Sequence, residues 1–446
     1  MTQDLLFEIG TEEMPSSYIP SVLRDLEAQA CRLFEEQRIT FSGVRTLGTP
    51  RRLTLYVERL DQSQGDLVRE VVGPSKAVAF DQEGLPTKAA LGFAKAQAVS
   101  VEDLRVKTLD RGEYVVAVIV ERGAHLEEML PVLLPRLITS LSFPKSMRWG
   151  QGTFRFVRPI RWLVALYSGR VIPFEIDGVK SGNKTYGHRF LSRGQIRIRS
   201  FQDYIEKLEE RYVIVNQHRR RELVTRMAEE AAAKVGGKPV FDDELVEMVT
   251  SLVEYPTVVC GRFEQEYLLL PREVIMTPMR KHQRYFPVAD DAGKLLPYFV
   301  TISNMKAKDM EVIRTGNERV LRARLKDAAF FFKEDRRIQL RERVPQLKGI
   351  TFQERLGTML EKVERLTKLV AYRAEQVAPH LVHDACQSAQ LCKADLVTTM
   401  VKEFPSLQGV MGREYAQLSG ESAVVAQAIE EHYFPRFAGD RLPESL

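Results

Sequence analysis

Cysteine is scarce in this chain: four in 446 residues, at Cys31, Cys260, Cys386 and Cys392. The first three are far apart, and five residues separate the last two, which is not a usual zinc-ligand spacing. Scattered thiols exclude a disulfide framework and suit a reducing, cytoplasmic setting, with each thiol read as a buried apolar group. Long hydrophobic runs are also missing. No stretch approaches the ~20 apolar residues of a membrane span. The opening MTQDLLFEIG carries an acid where a secretory signal carries positive charge, so no signal peptide is expected. Nucleotide motifs are absent as well. There is no GxxxxGK[ST] loop, no GxGxxG after a strand, no HExxH and no GxSxG. The chain therefore shows none of these common routes to bind a nucleotide or carry out hydrolysis.

What is present is ordinary globular material, 44% hydrophobic and 28% charged. Its length suggests two to four domains. The net charge of +5 is mild, but its distribution is not. Between Arg136 and Ser200 thirteen Lys/Arg stand against two acids, Glu175 and Asp177. This local balance of +11 leaves the rest of the chain at −6. A concentrated positive field attracts polyanions such as RNA.

Periodicity gives an α+β chain. Residues 4–60 read as a strand, a helix (apolar at Ile19, Leu23, Leu26, Ala30, Leu33, Phe34) and an alternating strand region. TKAALGFAKAQ reads as a short helix and EYVVAVIVER as a half-buried strand. Pro131 and Pro135 are expected to break LEEMLPVLLPRLITSL into short segments. Strands follow through the basic region. Then come a helix DYIEKLEERY, a strand VIV, and a second helix capped by Asn216 and ended by Gly236-Gly237. DELVEMVTSLVEY reads as a helix, and TVVCGRF, YFPVAD and YFVTISN as strands. DDAGK is a hairpin turn. Beyond Gly316 the pattern is helical. Domains are expected at 1–65, 66–330 and 331–446, with the basic segment 136–200 in the second.

Three clusters are candidates for binding RNA. The first interleaves arginines and aromatics: Arg148-Trp149, Phe154-Arg155-Phe156, Arg158 and Arg161-Trp162, joined by Arg51 and Arg52 of TPRRLTLYV. Arginine forks onto phosphate, and unpaired bases stack on rings. The alternative is a solvated basic sheet face with its aromatics in the core. The second is Arg280, Lys281, Gln283 and Arg284 of MRKHQRYFPV. His282 among them has a near-neutral pKa type but no nucleophile or carboxylate beside it in sequence. The third is Arg314, Arg319, Arg322, Arg324 and Lys326, with Arg319 and Arg322 on one helix face and Glu318 and Asp327 as alternative salt-bridge partners. A histidine–carboxylate group, His380, His383, Asp384 and Asp395, has the residue types of an HD phosphohydrolase. However, Ala394 stands where the motif's histidine would be, and alanine cannot ligate metal. No catalytic or metal-binding residue is assigned.

Long segments then resemble one family, the bacterial glycyl-tRNA synthetase β subunits. They are LLFEIGTEEMP, TPRRLTLYV, MRWG, FVRPIRWLVAL, GHRF, LVEYP, MRKHQRYFPV, GKLLPYFVTISN, GNERVLRARLKDAAFFFKED, LCKADLVTTMVKEFPSLQGVMG and YFPRFAGDRLP, in family order from residue 5 to 443. The resemblance implies an N-terminal α+β region containing an editing-type domain like that of phenylalanyl-tRNA synthetase β subunits. An all-α HD-like domain would follow. It implies an assembly of two α and two β subunits that acts as a glycine–tRNA ligase. There β binds tRNA(Gly), while ATP, Mg and the chemistry belong to α. No cofactor is implied in this chain, and neither DNA nor a membrane as partner. The family continues past Leu446 through an anticodon-binding domain, so the chain is expected to be a fragment.

Overall fold

The computed structural model describes residues 3–109, 112–150 and 152–444. The chain forms two compact units: 1–220 with 250–255, and 221–249 with 256–446. Residue 330, expected near a domain boundary, lies within the unbroken helix Met310–Asp335.

The first unit is built on a mixed sheet with Gln3–Thr11 at its centre. Arg52–Leu60 and then Gly43–Thr49 lie on one side; Ile160–Tyr167, Val179–Gly182 and Glu175–Ile176 lie on the other. Alternation in LLFEIG divides the central strand between two cores. Leu5, Phe7 and Ile9 pack with the helices Ile19–Glu36 and Leu126–Ser140. Leu6 faces the opposite way, with Trp162, Val164 and Leu166, under a second layer supplied by Ile196, Ile198, Tyr204, Leu208, Val213 and Val215. Glu8 lies on this second face. A smaller antiparallel sheet, Leu67–Ser75, Gly112–Glu121 and Arg105–Leu109, carries the helix Lys88–Ala96.

Two expectations need correction here. Pro131 and Pro135 sit inside one continuous helix, Leu126–Ser140. Its buried row Leu126, Leu130, Leu133, Leu134, Leu137 and Ile138 outweighs the two lost hydrogen bonds. VIV is not a strand of any sheet. It is a buried segment whose Ile214 N–H donates to the Glu254 carbonyl, 2.9 Å away.

In the second unit a four-stranded antiparallel sheet runs Lys238–Pro239, Phe286–Ala289, Leu295–Ser303, Thr257–Arg262. Helix Met310–Asp335 packs Leu321 and Leu325 into the same core as Phe299 of this sheet. Its last turns, Ala328 and Phe332, enter a helical core with residues of Met359–Val377, Val382–Leu391, Val410–Leu418 and Ala423–Glu431. The segment 351–358, expected to begin a helix, forms a small hairpin instead. Thr358 and Glu361 then start the helix with a reciprocal capping box. Among the described residues no helix is long and apolar enough to cross a membrane.

Candidate nucleic-acid interface

Motifs scattered over 250 residues of sequence meet at one end of the first unit's large sheet. The end of the central strand supplies Thr11, Glu12 and Glu13. Thr11 N–H donates to the Arg51 carbonyl at 2.8 Å, and Glu12 N–H to the Pro159 carbonyl at 3.1 Å. Gly10 pairs in register with Arg52 on one side and Trp162 on the other. A Cβ at Gly10 would overlap the Trp162 indole, so only glycine lets the ring lie across the strand. GHRF arrives through His188, whose N–H donates to the Arg211 carbonyl at 3.0 Å.

Beneath this end lies a buried charge network, in which Glu8 Oε2 is left without a partner. Arg52 is fully buried. Its Nη2 and Nε donate to Glu254 Oε1 at 3.1 and 3.2 Å, and its Nη1 donates to the Tyr186 carbonyl at 2.9 Å. Arg52 Nη1 also lies 3.4 Å from Glu8 Oε1. Glu8 Oε1 accepts from Trp162 Nε1 at 3.0 Å and from Thr185 Oγ1 at 2.9 Å. Burial pushes the Glu8 carboxyl up from its ordinary value. Burial pushes Glu254 the same way, but Arg52 and the Thr49 hydroxyl beside it hold it below the usual carboxylate range. Arg220 is buried next to this network and donates to the carbonyls of Gly48, Ile214 and Thr250 at 2.6–2.9 Å. Burial lowers its pKa to about 10.

Arg52 is therefore removed from the candidate RNA contacts, because its guanidinium is enclosed and committed to internal carboxylates. Arg51, its neighbour, lies beside the same Trp162 ring but is only partly buried. Its guanidinium lies 5.5 Å from the Trp162 ring centroid, and Nε and Nη1 are buried without a hydrogen-bond partner. Arg161 is exposed, with Nε 3.4 Å from Glu12 Oε1. Arg158 is half-buried and its Nε donates to the Glu13 carbonyl at 2.9 Å. Arg189 pairs with both Glu12 and Glu13. Arg148 is exposed on a short hairpin opposite Arg155. Of the thirteen cations between Arg136 and Ser200, all but Arg158 are exposed.

The second unit brings the other two clusters together. MRKHQR is a π-helical turn, Pro278–Gln283, ending with Arg284 in the left-handed region at φ 60°. Single π turns and strained residues concentrate at functional sites. Arg280 pairs with Asp242, and Arg284 Nη1 donates to the Arg280 carbonyl at 3.2 Å. Arg280, Lys281 and Arg284 line a cavity of about 510 Å³ with Leu245, Met276 and Thr277. Gln283 is half-buried. Tyr285 OH donates to Asn317 Oδ1 at 2.6 Å, tying this turn to helix Met310–Asp335. Burial and the nearby Arg324 lower the His282 pKa, which favours a neutral ring. Arg319, Arg322 and Arg324 are exposed on that helix. The partner of Arg322 is Glu264 rather than Glu318 or Asp327.

The HD-type positions do not converge. Among the described residues no group of three or more His, Cys, Asp or Glu is placed to hold a metal. Asp395 is fully buried in a 3-10 turn, and its Oδ2 accepts the Gly409 N–H at the start of helix Val410–Leu418. Ala394 is buried beside it.

Glu8, Glu254, His188, Arg220 and Phe190 were not singled out by sequence. LLFEIGTEEMP, GHRF and LVEYP contain Glu8, His188, Phe190 and Glu254, but marked them only as parts of family segments.

Comparison with known proteins places all of these segments in one family match. The family profile described as glycyl-tRNA synthetase beta subunit matches residues 5–446. A glycine–tRNA ligase beta subunit of Moorella thermoacetica is 50% identical over 448 residues, covering 100% of this chain and 65% of that protein. That of Desulforudis audaxviator is 50% identical over 445 residues, covering 99% and 65%. That of Syntrophus aciditrophicus is 48% identical, covering 100% and 64%. The chain thus spans about 65% of the length of these relatives. With the match running through every segment that builds the polar end of the first unit, the chain belongs to the glycyl-tRNA synthetase beta subunit family.

Proposed function

We propose that this chain is the tRNA-holding portion of the β subunit of a glycine–tRNA ligase. In this reading it binds and positions tRNA(Gly), and an α subunit carries ATP, Mg and the bond-making chemistry in an assembly of two α and two β subunits. The chain by itself is noncatalytic and works in the cytoplasm. The editing-type and HD-like relationships of its two regions belong to the same reading. The observation that carries it is the basic segment: twelve of its thirteen cations are exposed. Arg136, Lys145, Arg148, Arg155, Lys180, Lys184, Arg193 and Arg197 form no ion pair among the described residues. Solvated, unpaired cations on a folded surface suit phosphate, since binding them costs no internal salt bridge. A hydrolase reading of the HD-type residues is disfavoured by the commitment of Asp395 to a helix N-terminus.

The test is a titration of the chain with tRNA(Gly) across a salt series. Log affinity should fall linearly with log salt, with a slope of several units, as each phosphate contact releases condensed counterion. Undetectable binding at low salt, or binding insensitive to salt, would defeat the proposal.

A further inference from the structure

The loop Gly187-His188-Arg189-Phe190 displays an aromatic ring where burial would be expected. Phe190 is 71% exposed. An exposed phenylalanine on a mobile loop has no particular meaning, but the turn that carries this one is held by hydrogen bonds. His188 is buried beneath it, and its Nδ1 accepts the N–H groups of both Phe190 and Leu191, at 3.2 and 3.3 Å. The two rings lie 6.2 Å apart. Ser192 N–H closes the turn onto the His188 carbonyl at 3.0 Å. Gly187 fits only because it has no side chain: a Cβ there would lie 2.7 Å from the Arg211 Cβ. The backbone that carries the ring is thus pre-positioned, which lowers the ordering entropy lost on binding.

The setting is cationic. Arg189, next to Phe190, shares the Glu12 carboxylate with Arg161 and also reaches Glu13. Arg193, three residues on, is exposed and forms no ion pair among the described residues. Arg51 Nε and Nη1 and His188 Nε2 are buried polar atoms without a partner at the same end of the sheet. A solvent-facing ring on an ordered turn, flanked in sequence by exposed arginines, is an arrangement that binds unpaired nucleotides: the ring takes the base, and the cations take the backbone.

We propose that Phe190 is a stacking platform for an unpaired nucleotide of the bound tRNA, with the unpaired Arg193 as its phosphate contact. This rests on the tRNA-binding reading above and adds to it a site and a contact type. Stacking releases no counterion, so its removal should weaken binding without changing the salt slope.

The experiment compares the full chain with its Phe190→Ala, Phe190→Trp and Arg193→Gln variants, after thermal melts establish equal folding. Each is titrated with tRNA(Gly) over a salt series, and with a single-stranded RNA oligonucleotide carrying one 2-aminopurine. Phe190→Ala should lose about tenfold in affinity for both RNAs, from the usual value of one base on one ring, with an unchanged salt slope. It should also lose the 2-aminopurine quenching seen with the wild type. Phe190→Trp should restore both, whereas Arg193→Gln should reduce the slope by about one unit. Wild-type affinity and quenching in Phe190→Ala, with Arg193→Gln still weakened, would remove the platform and leave the tRNA reading standing. RNA binding intact in Phe190→Ala but weaker capture of the α subunit would make Phe190 a protein contact and overturn the proposal. No RNA binding by the wild type would end both readings.

Discussion

Arg51 and Arg52 are adjacent in sequence and chemically identical, yet Arg52 is fully enclosed and hydrogen-bonded while Arg51 is partly exposed with two donors unpaired. Arg52 points with Thr54 and Tyr56 to the face covered by the second layer, while Arg51 sits at the turn. A buried ion pair adds little net stability, because desolvation offsets the attraction, but removing one member leaves a charge stranded. Arg52→Met should therefore strand Glu254 and lower the stability of the first unit by about 3–5 kcal/mol. Arg161→Gln breaks an exposed pair with Glu12 and should change stability by no more than about 1 kcal/mol. Denaturant midpoints of the two variants measure the contrast. A wild-type midpoint for Arg52→Met would show the network to be dispensable. From sequence both arginines read as surface cations. The side of the strand was legible from alternation, but the cover over that side was not.

At the scale of elements, two buried aspartates act as helix starters. Asp335 accepts the N–H groups of Thr399 and Met400 at 2.9 and 2.8 Å, and Asp395 accepts that of Gly409 at 2.6 Å. Asp395 Oδ1 is left unpartnered, and burial pushes its carboxyl up to about 6 despite the backbone donors. A raised acid binds its proton more tightly in the folded state than in the unfolded one. Its stabilising contribution is therefore complete below the ordinary aspartate value of about 4 and fades as pH rises through about 6. Asp395→Asn keeps an acceptor for Gly409 and does not titrate. Relative to it, the wild type should lose on the order of 3 kcal/mol between pH 4 and pH 7. Urea unfolding of both proteins over that range reads the difference, and parallel curves would reject the role of Asp395. The sequence located this aspartate on a presumed HD-type helix. The helix in fact stops at Leu391, and the carboxylate turns inward to cap a later helix. Pro131 and Pro135 make the converse case: local rules favoured a break, and burial of one leucine-rich face kept the helix whole.

For the whole molecule the relevant quantity is where charge is presented. The first unit's basic segment carries +11 while the remainder is acidic, so variants with the same change in net charge should differ by location. Lys184→Glu combined with Arg197→Glu alters an exposed cross-strand pair of cations. It should weaken tRNA binding and lower the salt slope by about two units if both meet phosphate. Arg226→Glu combined with Lys234→Glu, outside the segment, should leave the slope unchanged. Equal losses from both pairs would mean that net charge alone drives binding.

Family membership, the charged segment and most helices and strands were determined by the sequence itself, because long motifs, local charge and periodicity are properties of neighbouring residues. Which arginines face solvent, which face Glu8 and Glu254, and that Phe190 stands on a fixed turn were decided by tertiary structure alone. Burial of Arg52 depends on Thr185, Tyr186 and Glu254, residues 133, 134 and 202 positions away. No local pattern encodes that closure; it exists only once the second layer has packed onto the sheet.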